Sequence, residues 1–286
     1  MEDEVIRMKR LKVEGIFSLQ LRKTFAASHG LKFCAAMLSV ALLVFAGACG
    51  RAEREPQSDE ITVAAAANLT DAFGEIAKRF TARTGLKVTN SFGATADLAK
   101  QIENGAPFDV FASADVEHVE ELARKGLLAD APRGVYARGK LVLWTPQGGK
   151  ASVERVEDLA SAGVSKIAIA KPDVAPYGRA AVESLKALGL WEKVEPRVVY
   201  SQTVAQAKQF ASSGNADAAF IPHSLLREGE GRAIEVDAKL HAPIDQAIGV
   251  VRASKRQDAA RRFVEFLLSE EGQAVLKSFG YDSPSK

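Results

Sequence analysis

The run Ile61-Thr-Val-Ala-Ala-Ala-Ala-Asn-Leu-Thr-Asp71 is an apolar strand that turns without a linker into a helix. That junction constrains the chain more than any other feature. A strand feeding a helix start leaves the first-turn N–H groups without intrahelical acceptors and aims them at one point. The helix dipole adds positive potential there, so the point attracts an anion without help from a cationic side chain. The junction recurs at Ser91-Phe-Gly-Ala-Thr-Ala-Asp97, again after an apolar strand. Two converging helix starts point to a receptor for a small anion.

From residue 61 onward, strand candidates at 61–66, 86–92, 108–112, 140–144, 166–170, 197–200, 216–221 and 247–251 alternate with helical stretches. Leu69, Ala72, Phe73, Ile76, Ala77 and Phe80 share one helical face, as do Val116, Val119, Leu122 and Ala123. Asp115 stands at the N-cap of the second helix and Gly126 just past its end. The alternation predicts an α/β fold of mostly parallel sheets flanked by helices. With 286 residues there is material for two domains. The stretches Lys140-Leu-Val-Leu-Trp144 and Gln246-Ala-Ile-Gly-Val-Val251 read as paired crossovers between lobes. The first lobe is then 61–140 with 247–286, and 141–246 is an inserted second lobe. Ligand is expected between the lobes, beyond the strand ends.

The first sixty residues read differently. Arg22, Lys23 and Lys32 precede an apolar run over 33–48 that is short and rich in small residues. It suits an export signal better than a membrane span. Phe45-Ala-Gly-Ala-Cys49-Gly resembles a bacterial lipoprotein box, which makes Cys49 the lipidation residue and 1–49 the export segment. An ordinary signal cleaved nearby, with Cys49 incidental, is the other reading. Residues 50–60 read as a tether. Both cysteines, Cys34 and Cys49, precede that tether, so the exported domain has no thiol nucleophile, disulfide or cysteine metal site. His118, His223 and His241 have no metal-ligand spacing, and a net charge of +2 with dispersed basic residues offers no stripe for nucleic acid. No metal and no cofactor are expected.

Four segments occur in order: Ala64-Ala-Ala-Ala-Asn-Leu-Thr70, Ser91-Phe-Gly-Ala-Thr95, Gln101-Ile-Glu-Asn-Gly-Ala-Pro-Phe-Asp-Val-Phe-Ala-Ser-Ala-Asp115 and Lys171-Pro-Asp-Val-Ala-Pro-Tyr-Gly178. Together they resemble the periplasmic molybdate-binding proteins of ABC importers, over nearly all of the exported part. The resemblance implies a two-lobed, type II periplasmic-binding-protein fold. It implies capture of molybdate or tungstate by neutral donors and delivery to a permease with its ATPase subunits. Taken with the lipoprotein box at Cys49, the expectation is a monomer, periplasmic or at the cell surface, touching the membrane only through a lipid anchor. Carried over by position, Asn68 and Thr95 are the side-chain donors, and Tyr177 and Val204 are backbone N–H donors. A tyrosine hydroxyl used by some members falls at Pro222, which has no donor.

The chemistry stands beside the resemblance. Molybdate presents four acceptor oxygens, so its site should offer donors. Asn68 is expected to cap the helix at Leu69 through its oxygen and to turn its NH₂ group to the anion. Thr95 is expected to start the next helix and donate its hydroxyl. Neutral donors avoid the desolvation cost of a buried Arg or Lys. A receptor for sulfate or an organic anion on the same fold is the alternative. An enzyme is disfavoured, because no nucleophile–base–orienter order carries motif support. Asp109 and Asp115 read as structural carboxylates.

Overall fold

A computed structural model describes residues 60–284, apart from 131, 150 and 162. The export segment, Cys49 and all of the tether but Glu60 lie outside the described residues. Ten strands are described: β1 (Glu60–Ala66), β2 (Lys87–Gly93), β3 (Val110–Ala112), β4 (Gly134–Gly139), β5 (Leu141–Pro146), β6 (Ile167–Ala170), β7 (Val198–Ser201), β8 (Ala218–Pro222), β9 (Gly231–Glu235) and β10 (Ile244–Val250). The α-helices are α1 (Thr70–Thr84), α2 (Thr95–Glu103), α3 (Glu117–Arg124), α4 (Pro176–Ala187), α5 (Trp191–Val194), α6 (Val204–Ser212), α7 (Gln257–Leu268) and α8 (Glu270–Ser278).

The strands form two five-stranded sheets, ordered β2-β1-β3-β10-β4 and β7-β6-β8-β5-β9. In the first, β1 runs parallel to β2 and β3, whereas β10 is antiparallel to β3 and β4. In the second, β6 runs parallel to β7 and β8, whereas β5 is antiparallel to β8 and β9. Each sheet is therefore mixed, not mostly parallel. The antiparallel half is created by the two crossings, β4 to β5 and β9 to β10, each of which delivers a reversed strand. Because β10 begins at Ile244, the return to the first sheet comes earlier than residue 247. Residues 244–246, assigned above to the second lobe, are the first part of a first-sheet strand.

Period-two alternation sorts β1 between two layers. Ile61, Val63 and Ala65 join a large apolar cluster with α1 and α7, while Ala64 joins a smaller one with Leu98, Ile102, Phe111 and Val119. Helix α1 buries Ala72, Phe73, Ile76 and Phe80 at helical spacing and stops at Gly85, whose left-handed φ of 75° returns its N–H to Thr81 O at 2.8 Å. Phe80 meets Phe263 and Phe266 edge-on, at centroid distances of 5.4 and 5.7 Å. The large cluster continues into the second lobe through Leu141, Leu143, Ile167, Ile169, Tyr177 and Phe220. The apolar core is thus continuous across both lobes.

Candidate functional site

The C-terminal ends of β1, β2 and β3 face those of β6 and β7 across a cleft of about 220 Å³. Its lining includes Asn68, Thr95, Tyr177 and Val204, the four residues singled out from sequence, together with Ala, Gly and Pro residues and Thr203. No charged side chain lines it. The alanines at 66, 67, 94, 114 and 175 keep the walls small, so backbone can approach whatever sits there.

Three helical starts reach this cleft without side-chain caps. The 3-10 turn Ala67–Leu69, α2 and α4 begin after Ala66, Ala94 and Ala175, none of which can supply a capping oxygen. Pro176 occupies the first position of α4, leaving Tyr177 as the first residue with an N–H. Helix α6 differs: the Thr203 hydroxyl accepts the Gln206 N–H at 3.1 Å, which leaves Val204 ahead of it. Among the described hydrogen bonds, neither Tyr177 N–H nor Val204 N–H has an acceptor.

Thr95 is the first residue of α2 and is 1% exposed. Its Oγ1 accepts the Ala114 N–H at 3.2 Å, which leaves the hydroxyl hydrogen to donate into the cleft. Asn68 departs from expectation. It sits inside the 3-10 turn and caps nothing. Its Nδ2 is turned inward, donating to Gln246 Oε1 at 2.8 Å and to the Tyr281 hydroxyl at 2.8 Å. Its carbonyl accepts from the Ser224 and Tyr281 hydroxyls at 2.8 and 2.9 Å. Pro222 ends β8, and the segment after it brings Ser224 behind Asn68 instead of a side chain into the cleft.

The network behind Asn68 was not legible from sequence. Gln246, Tyr136, Tyr281 and Ser224 are all buried, and each acts on a partner more than fifty positions away. The available signal was Gln246 itself, which with Asp245 interrupts an otherwise apolar β10. Burial pushes the Tyr136, Tyr177 and Tyr281 hydroxyls well above the usual phenol range, so all three are neutral.

Contacts between the lobes frame the opening. Ala96 N–H donates to Val174 O at 3.2 Å, and Gln202 Nε2 to Asp97 Oδ2 at 2.7 Å. Arg179 Nη1 reaches Glu117 at 3.1 Å, and Arg227 Nη2 reaches Asp71 at 2.8 Å. The two candidate carboxylates are structural. Asp109 accepts the Thr62 N–H at 2.7 Å beneath β1, and Asp115 holds the His118 N–H at 3.1 Å and its imidazole at 2.9 Å. Burial pushes Asp115 up, but the His118 hydrogen bonds and charge, with the Ser113 hydroxyl, outweigh it and leave the carboxyl below its usual value. His118 is raised by the same hydrogen bond, against its own burial.

Comparison with known proteins places this geometry. Residues 61–282 match the family model of bacterial extracellular solute-binding proteins. Molybdate-binding protein ModA of Azotobacter vinelandii is 37% identical over 247 residues, covering 85% of this chain and 98% of that protein. ModA of Rhodobacter capsulatus is 36% identical over 227 residues, covering 78% and 88%. The solved structure of the Azotobacter vinelandii periplasmic molybdate-binding protein superposes with a TM-score of 0.75 at 32% identity, covering 79% of this chain and 100% of that one. The fold, its neutral cleft and these matches lead to one conclusion: the chain belongs to the bacterial extracellular solute-binding proteins.

Proposed function

We propose that the chain is the substrate-binding component of an ABC importer and captures molybdate or tungstate between its lobes for delivery to a permease and its ATPase subunits. The observation that carries this reading is the cleft lining: Thr95, Tyr177 and Val204 line it with no charged side chain among the lining residues, and the Tyr177 and Val204 N–H groups have no acceptor among the described hydrogen bonds. Such a lining replaces the hydration shell of a four-oxygen dianion without burying a cation. The two ModA relatives, both named for molybdate, favour that anion over others. Asn68, Thr95, Tyr177 and Val204 are the proposed ligand contacts. The solute-binding role of the family supports binding as the function.

Calorimetric titration of the protein with molybdate, tungstate, sulfate and phosphate tests the reading. One tight site for the first two is expected. Strong sulfate binding with neither metal oxyanion bound would overturn it. The protein is proposed to act as a monomer, exported and held to a membrane through lipid on Cys49. Cys49→Ser should move it to the soluble fraction; continued membrane retention would refute lipidation there.

A further inference from the structure

Asn68 presents the wrong end of its amide to an oxyanion. Its nitrogen is committed inward to Gln246 and Tyr281, so the oxygen is the end left to the cleft. An acceptor facing four acceptor oxygens repels them. The partner that holds the nitrogen inward, Gln246, is fully buried on β10, and among the cleft-lining residues its described side-chain hydrogen bonds reach Asn68 and Tyr177. Its Oε1 takes hydrogens from Asn68 Nδ2 at 2.8 Å and from the Tyr136 hydroxyl at 2.9 Å, and its Nε2 donates to the Tyr177 hydroxyl at 2.9 Å.

We propose that Gln246 is a positioning residue for the anion: by reversing its own amide it reverses that of Asn68, so that loading exchanges an acceptor for a donor at the cleft wall. This inference rests on the oxyanion reading above. The two ends of a primary amide have nearly the same size, so a half-turn about the terminal torsion exchanges nitrogen and oxygen between nearly the same two positions. In the reversed network Gln246 Nε2 gives one hydrogen to Asn68 Oδ1 and the other to the Tyr136 hydroxyl. Tyr136 then donates to Ser113 O, already 3.2 Å away. The Tyr177 hydroxyl donates to Gln246 Oε1, and the Tyr281 hydroxyl to Asn68 Oδ1, across the same 2.9 and 2.8 Å separations. Ser224 keeps the Asn68 carbonyl. Every member retains a partner, which a buried network requires. The Asn68 nitrogen now faces the anion with two N–H groups.

Two features suit the residues to this task. The three phenols are neutral, and a neutral hydroxyl can donate in one arrangement and accept in the other. Gly139 also closes the network off. A Cβ there would stand 1.9 Å from the Tyr177 hydroxyl and 2.7 Å from Gln246 Nε2, so no side chain from that crossing enters to fix either direction.

A double-mutant cycle on molybdate affinity tests the proposal. A carboxylate at 246 can only accept, so Gln246→Glu holds the Asn68 nitrogen inward. In the parent it should weaken molybdate binding by about tenfold or more, the loss of one hydrogen bond to a charged acceptor. In an Asn68→Ala background the same change should cost less than about threefold, because the group it acts through is gone. Simple repulsion by the added charge would act in both backgrounds, so equal losses overturn the role of Gln246 and leave the oxyanion reading intact. If the glutamate variant does not fold, neutron diffraction of the unmutated protein before and after soaking in molybdate decides the matter. Reversal of both amides on loading is expected, and unchanged orientations overturn the proposal. Failure of the parent to bind molybdate in the calorimetric titration would overturn both readings together.

Discussion

Replacing Thr95 by valine separates the two jobs its hydroxyl performs. Valine keeps the shape and the β-branch while removing one acceptor and one donor. The acceptor serves the Ala114 N–H at 3.2 Å, a buried group that would be left unpaired. That loss costs about 1–3 kcal/mol of stability with or without ligand. For a domain of this size each kcal/mol lowers Tm by roughly 2–4 °C, so a fall of about 2–12 °C is expected in thermal unfolding without anion. The donor serves the anion alone. One hydrogen bond to a charged acceptor is worth about 1.5–3 kcal/mol, which is roughly a tenfold to hundredfold loss in molybdate affinity by calorimetry. Thr95→Ser keeps both hydrogen bonds and should retain most of both properties. The reasoning is refuted if valine lowers Tm as expected yet binds molybdate within about twofold of the parent, since Thr95 would then be a wall residue and not a contact.

Three further outcomes follow from the geometry. Gly178→Ala places a Cβ 2.0 Å from Ala170 O, a backbone atom that cannot yield, so α4 must shift; both Tm and molybdate affinity should fall, the second because the neighbouring Tyr177 N–H moves with the helix. Phe263→Ala removes a ring that packs edge-on against Phe73 and Phe80, and should lower the urea-derived stability by about 3–5 kcal/mol while leaving the affinity of the folded protein near that of the parent. The Asp115–His118 pair should stabilise within a window of pH. His118 is raised above 6.5, so its contribution is complete below 6.5 and is lost as pH rises through the folded value; Asp115 is lowered below 3.8, so its contribution is present above 3.8 and is lost as pH falls through the folded value. The urea midpoint of His118→Gln should therefore lie furthest below the parent's near pH 5 and approach it by pH 9, and a gap constant from pH 5 to 9 would contradict the assignment.

The sequence patterns located strands well where apolar residues repeat and poorly where pairing alone makes the strand. β9, Gly-Arg-Ala-Ile-Glu, is exposed along most of its length and is held at the sheet edge by its ladder to β5. β4 is bounded by Gly134 and Gly139, and its Arg138 is paired with Asp245 of β10. Neither has the alternation that identifies a strand by itself. One helix start at the cleft was legible from the local strand-to-helix pattern: Thr95 stands at the first position of α2, as expected. The direction of the Asn68 amide was not. It is decided by Gln246 and Tyr281, 178 and 213 positions away, and no local rule reaches that far.

The order of strands has a consequence for how the chain assembles. β10 lies between β3 and β4 in the first sheet, yet it is the last strand to be synthesised, after the entire inserted lobe. Until residue 250 has emerged, β3 and β4 have no common neighbour, and the half of that sheet already made presents an unzipped seam. The ladder that closes the seam joins Val110 to Val250, and contacts so far apart in sequence carry the largest loop-closure entropy and so favour late formation.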